Sequence, residues 1–146
     1  MSQEQNKAVM RRILDEVFVG GDIDLLDELL TPGFVNHNVV GTGEGTHVVG
    51  IEPMKREFMG VHSAMSAISL EVVHLLADGD FVVVHAISTG THSGPFFGVP
   101  GTGRLVRTPT ISIARFADGK MAERWNVIDL YGTLRQIGAV PGRYSS

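Results

Sequence analysis

The chain has 146 residues, a formal net charge of −4 and 43% hydrophobic residues. That suits one ordinary domain spanning residues 1–146, long enough to bury roughly 70% of the surface its unfolded form exposes, and offers no basic stripe for nucleic acid. Cysteine is absent, which removes disulfides, thiolate nucleophiles, cysteine-ligated zinc and iron–sulfur clusters together.

The N-terminus, MSQEQNKAVMRRILDE, is polar and amphipathic, without the continuous apolar core of a signal peptide, and no run approaches the roughly 20 apolar residues of a membrane span. The expectation is a cytoplasmic protein without a membrane partner. Over residues 6–19, Val9, Ile13, Val17 and Phe18 recur at helical spacing, and Gly20-Gly21 supplies a stop. Asp22 is placed to cap a second short helix with Ile23, Leu26, Leu29 and Leu30 as its buried stripe, ended by Pro32-Gly33. Residues 34–38, FVNHN, then read as an extended piece leading into the glycine-rich GTGEGT at 41–46. That stretch lacks the GK[ST] ending of a phosphate loop and does not join a strand to a helix, so nucleotide binding is not expected. Pro53 suits the first turn of a third helix, whose apolar stripe of Met54, Phe58 and Met65 runs to about residue 65.

From Ile68 the period changes to two. Ile68, Leu70, Val72, His74 and Leu76 alternate with their neighbours, and Asp78-Gly79 signals a tight turn before FVVVHAIST, which makes a β-hairpin. A Gly/Pro-rich connection, THSGPFFGVPGTGR, follows, and its Phe96 and Phe97 are expected to fold over a cavity as a lid or to form a dimer contact. A second hairpin runs from Val106 to Phe116, turns at Asp118-Gly119 and returns from Met121 to Ile128. A last short helix over 130–137 ends at Gly138. Three helices followed by long antiparallel strands predict an α+β domain in which helices cover one face of a curved sheet. A strongly bent sheet against helices encloses a cone-shaped cavity.

If Asp118-Gly119 is a two-residue turn, regular pairing sets Trp125 opposite Ser112, Val127 opposite Thr110 and Asp129 opposite Thr108. Trp125, Thr108, Thr110 and Ser112 then form a pocket wall with Asp129 at its end. Beside an indole the charged form of Asp129 would lose hydration, which would raise its pKa toward that of a useful acid or base. The alternative reading is a plain helix cap for the 130–137 helix. His85 is expected on a central strand, diagonal to His74 if the first turn is also of two residues. There it would orient a carbonyl or share a proton with Asp129, or simply be a satisfied core histidine. His37, at the pocket mouth, and Phe34, Met59 and Phe96 complete the candidate lining. The six histidines show no metal-binding spacing, so no metal site is expected.

The segments GTHSGPFFGVPGTGR and FADGKMAERWNVIDLYGTLRQIG together resemble the SnoaL-like polyketide cyclases, or ester cyclases, of the nuclear-transport-factor-2-like superfamily. The resemblance covers nearly the whole chain. It implies a cone-shaped α+β barrel, a homodimer or homotetramer, an apolar or aromatic small-molecule ligand, and no cofactor. It further implies that an aspartate near the end of the last long strand, here Asp129, acts as general acid/base in an intramolecular aldol ring closure. His85 stands where many relatives of this general type carry arginine. Two other functions are compatible with the fold. An epoxide-hydrolase-type enzyme would need an Asp-Arg-Asp set, for which Arg107, Arg115 and Arg124 are close in sequence but no second pocket aspartate is evident. A non-enzymatic binding or dimerisation module would show a closed or fully apolar cavity, with Asp129 engaged solely in the cap.

Overall fold

The computed structural model describes residues 1–37, 39–40 and 47–140; the GTGEGT stretch and Asn38 lie outside the described residues. Helix α1 (Gln3–Arg12) starts with a capping box between Ser2 and Gln5, each side chain bonding the other residue's backbone N–H. It widens into a π-helical continuation, Ile13–Val19, that keeps Met10, Ile13 and Val17 buried on one side. A 3-10 turn (Ile23–Leu25) leads into α2 (Leu26–Leu29), and Asp22 makes no side-chain cap there, contrary to expectation.

Strand β1 (Leu30–His37) starts two residues before Pro32-Gly33 and runs through them, so that pair does not end the preceding helix region as its composition suggests. The physical reason lies in the pairing. Leu30 faces Met121 and Val35 faces Glu123, with a register shift between them, so the proline falls where no ladder N–H is required. Next come β2 (His47–Val49), α3 (Ile51–Ala64), β3 (Met65–Asp78), β4 (Phe81–His92), β5 (Leu105–Ala117), β6 (Lys120–Ile128) and α4 (Leu130–Gln136).

The six strands form one strongly curved sheet in the order β2-β1-β6-β5-β4-β3. It is mixed rather than purely antiparallel, because β1 lies parallel to β6. Irregularities break the β3–β4 ladder twice, between Ser66 and Ser69 and between Val72 and His74, and the β5–β6 ladder once. Each inserts extra chain on one side and bends the strand. Ala67, at φ 51°, sits in the first of them.

Helices α1 to α3 pack on the concave face, where Leu26, Leu30, Phe34, Val82, Val84 and Met121 are fully buried. Lys55, only 8% exposed, ties α3 to the preceding turns through Asp27 (2.8 Å), Glu52 (3.3 Å) and Asp24 (3.5 Å). Its hydrogen bond to Asp27, outweighing desolvation, raises its pKa above the ordinary lysine value. The Gly/Pro-rich connection between β4 and β5 is anchored at its base. The Nδ1 of buried His92 bonds the Thr102 hydroxyl at 3.0 Å and accepts from the Thr102 N–H at 3.3 Å, pinning the base of the 93–104 connection.

Candidate functional site

Between the concave sheet, α1 with its continuation, and α3 lies a cavity of about 450 Å3. Helix α3 supplies Met54, Glu57, Phe58 and Val61, a stripe at i, i+3, i+4 and i+7. The N-terminal helix adds Met10, Ile13 and Phe18. The sheet adds a polar strip, Thr108, Thr110 and Ser112 from β5 with Arg124 and Asn126 from β6. Val39, Val40 and Pro95 to Phe97 also line the cavity. Phe96 and Val99 exchange two backbone bonds of 3.0 Å around Phe97 (φ 47°) and Gly98 (φ 78°). This is a tight primed turn whose first central position usually takes glycine or asparagine, and it carries the half-exposed Phe97 ring against Phe96.

Among the described lining residues one acid and one base occur, Glu57 and Arg124, and they are paired. Glu57 Oε2 accepts from Arg124 (3.2 Å) and from Asn36 Nδ2 (3.0 Å). Arg124 also reaches Asn36 Oδ1 (3.4 Å) and lies over the Phe58 ring at 6.0 Å. One carboxylate oxygen is thus clamped, while Oε1 has no hydrogen-bond partner among the described residues.

The structure brings Thr108, Thr110, Ser112 and Phe96 together in the cavity as the sequence suggested. It separates the others. The Asp118-Gly119 turn forms as expected, with φ 52° and 78°, but Ala122 is an extra residue. Phe116 faces Met121 and Arg115 faces Glu123, so Ser112 faces Asn126 and Ile113 faces Trp125. This one-residue shift turns Asn126 inward and Trp125 outward. Trp125 stacks on His37 on the outer face, with ring centroids 4.7 Å apart, so neither lines the cavity. Asp129 is exposed and caps α4, its Oδ1 accepting from Gly132 N–H at 2.8 Å, and it is not part of the lining. The expectation of an inward acid at that position is corrected.

His85 lies on the face opposite the cavity. The β3–β4 loop is Gly79-Asp80, one residue later than expected, and regular pairing from it sets His74 directly opposite His85, before the Val73 bulge shifts the register. Their rings stack and their Nδ1 atoms approach to 3.0 Å. Phe34 belongs to the core beneath the cavity, and Met59, 47% exposed, faces outward from α3. Sequence reasoning missed Glu57, although an acid three residues after Met54 and one before Phe58 sits on the apolar stripe and could have been found.

Two predictions arise here. Asp129→Ala should cost about 1 kcal/mol, whereas Asp129→Asn, which also caps, should cost far less; thermal melts of both variants check this. On the outer face, Glu123 accepts from His37 (2.9 Å) and Arg115 (2.9 Å). These bonds, His37 first, lower its pKa below 4.5. Stability from this cluster is therefore full above pH 4.5 and fades as pH falls toward the lowered value. Melting temperature against pH should show a component in that window that Glu123→Gln abolishes.

Among the described residues no three His, Asp or Glu side chains cluster as a metal site, and no helix is long and apolar enough to cross a membrane. Residues 8–137 match the SnoaL-like polyketide cyclase family. The nogalonic acid methyl ester cyclase of Streptomyces nogalater is 29% identical over 122 residues, 83% of this chain and 89% of that protein. A candidate SnoaL-like polyketide cyclase from Jannaschia sp. CCS1 superposes with a TM-score of 0.83 at 31% identity, covering 95% of both chains. AclR, a candidate hydroxylase from Streptomyces galilaeus, gives 0.85 at 27% identity over 99% of this chain and 87% of its own.

Proposed function

Since the chain belongs to the SnoaL-like polyketide cyclase family, we propose that it closes a ring in a polyketide-like substrate by a cofactor-free, aldol-type step inside the cavity. The observation that carries this reading is a clamped carboxylate, Glu57, the one acid among the described lining residues, in a largely apolar hollow that also holds Arg124 and a strip of hydroxyl and amide groups.

A carbon between two carbonyls is acidic enough for one carboxylate to deprotonate when it is held within reach. The free oxygen of Glu57 takes that proton. The resulting carbanion attacks a second carbonyl carbon of the same molecule, a carbon–carbon bond forms, and the π pair of that carbonyl becomes an alkoxide. Glu57 returns the proton to the alkoxide, so nothing is oxidised or reduced and the product has the mass of the substrate. The apolar walls from α1, α3 and Phe96 fold the chain, while Arg124 and Asn36 keep the carboxylate aimed.

A binding-only module is the second reading: Asp129 is engaged in the α4 cap as that reading requires, although the polar strip and Glu57 depart from the fully apolar cavity it also requires. The purified protein should be incubated with nogalonic acid methyl ester and with simpler linear aromatic polyketones. Conversion to an isomer of unchanged mass and new retention time supports cyclisation. Binding of these compounds without any conversion supports the module and overturns the enzymatic reading; a product heavier by one oxygen also overturns it, in favour of AclR-like hydroxylation.

A further inference from the structure

We propose that Asn126 holds and polarises the substrate carbonyl whose oxygen takes up negative charge when the proton leaves, a role that rests on the ring-closing reading above. Asn126 is 7% exposed and faces Ser112 across the β5–β6 ladder. Its Oδ1 accepts from the Thr110 hydroxyl at 3.0 Å and from the Ser112 hydroxyl. Thr110 lies 3.2 Å from the Val127 carbonyl as well, which ties the arrangement to the strand. The carbonyl end of the amide is thus occupied from two sides and its plane is fixed.

The other end is not occupied. Nδ2 has no hydrogen-bond partner among the described residues, and it does not count with Asn6 Oδ1 and His92 Nε2, the atoms among those residues that lack both a partner and contact with solvent. Asn126 lines the cavity, and with Oδ1 held by Thr110 and Ser112 the N–H end of the amide is the end left to meet a ligand there. A carboxamide neither gains nor loses a proton in the working pH range, so its contribution is donation. Two N–H groups fixed in place by the protein stabilise an oxygen that becomes negative far better than free water does, because no reorientation is needed as the charge appears.

The site therefore divides the work. Glu57 removes the proton, and Asn126 receives the oxygen of the resulting enolate. The ligand class follows: a flat, apolar molecule carrying a 1,3-dicarbonyl, with no fixed charge near Asn126.

Enolisation can be read without the natural substrate. In D2O, the protein is mixed with 1-(2-naphthyl)butane-1,3-dione, and exchange of the protons between the two carbonyls is followed by NMR. Wild type should accelerate exchange over buffer, and Asn126→Ala should slow the catalysed rate by about 100-fold with KM little changed. Equal kcat in wild type and Asn126→Ala overturns this inference alone. No acceleration by wild type overturns it together with the ring-closing reading. If Asn126→Ala loses its cooperative melt, Ser112→Ala carries the test, since it keeps the amide but removes one hydroxyl that aims it. A fall in kcat of about tenfold at constant KM then supports the proposal, and an unchanged kcat overturns it.

Discussion

Glu57→Gln is expected to slow ring closure by about 10²–10⁴-fold, the range that a positioned acid/base contributes. The amide has nearly the shape of the carboxylate and still offers an oxygen to Arg124 and Asn36, so the clamp that now holds Oε2 at 3.2 and 3.0 Å survives in outline. What is lost is the ability to carry a proton. Arg124 also loses its counter-charge, but both side chains keep some contact with water, so the stability loss should be about 1 kcal/mol rather than that of a fully buried broken pair. The same assay should include Asp129→Asn. Turnover within about twofold of wild type for Asp129→Asn, with collapse for Glu57→Gln, assigns the proton to Glu57, since effects confined to kcat report groups acting in the transition state. The reverse pattern returns the acid/base role to Asp129, and the exposed cap in the present structure would then have to rearrange when substrate binds.

The parts legible in the sequence are those set by short-range rules. The stripe of Val9, Ile13 and Val17, the proline in the first turn of α3, the Asp118-Gly119 turn and the Gly138 stop each follow from local geometry, and each appears in the structure. So does the layer logic that places a cavity between helices and a bent sheet. The site residues depend on which way each strand residue points, and that is fixed by events without a local signature. The extra residue in β6 is an alanine between Met121 and Glu123, and its trace in the structure is that Met121 and Ala122 are buried consecutively. A pleat without a bulge forbids this. Regular pairing from the Asp118-Gly119 turn puts Trp125 on the pocket wall opposite Ser112, and the bulge moves it to the other face. Here its partner is His37, 88 positions earlier in the chain, brought beside it by the parallel β1–β6 pairing. No window of sequence contains both.

Deleting Ala122 tests whether the register that builds the site needs the bulge itself. In the deletion variant Met121 joins Glu123 directly, and regular pairing outward from the turn sets Phe116 opposite Met121, Arg115 opposite Glu123, Ile113 opposite Trp125 and Ser112 opposite Asn126, the partners that the intact chain already has. No residue beyond the deletion changes face, so Arg124 and Asn126 stay in the cavity and Glu57 keeps its partner. The cost is confined to the bulge: the buried Ala122 side chain is lost, and the strand loses the local bend that the extra residue gives it. The expected result is a cooperative melt lowered by about 1–3 kcal/mol, with cyclisation retained. The chain contains one tryptophan, so its fluorescence reports the face of β6 directly, and emission should match wild type because Trp125 stays on His37. A blue-shifted emission together with loss of cyclisation would show instead that the strand slides by one residue when the bulge is gone, which moves every side chain beyond it to the other face. Against that outcome stands the parallel ladder from Val35 to His37 against Glu123 to Trp125, which holds the far end of the strand independently of the turn.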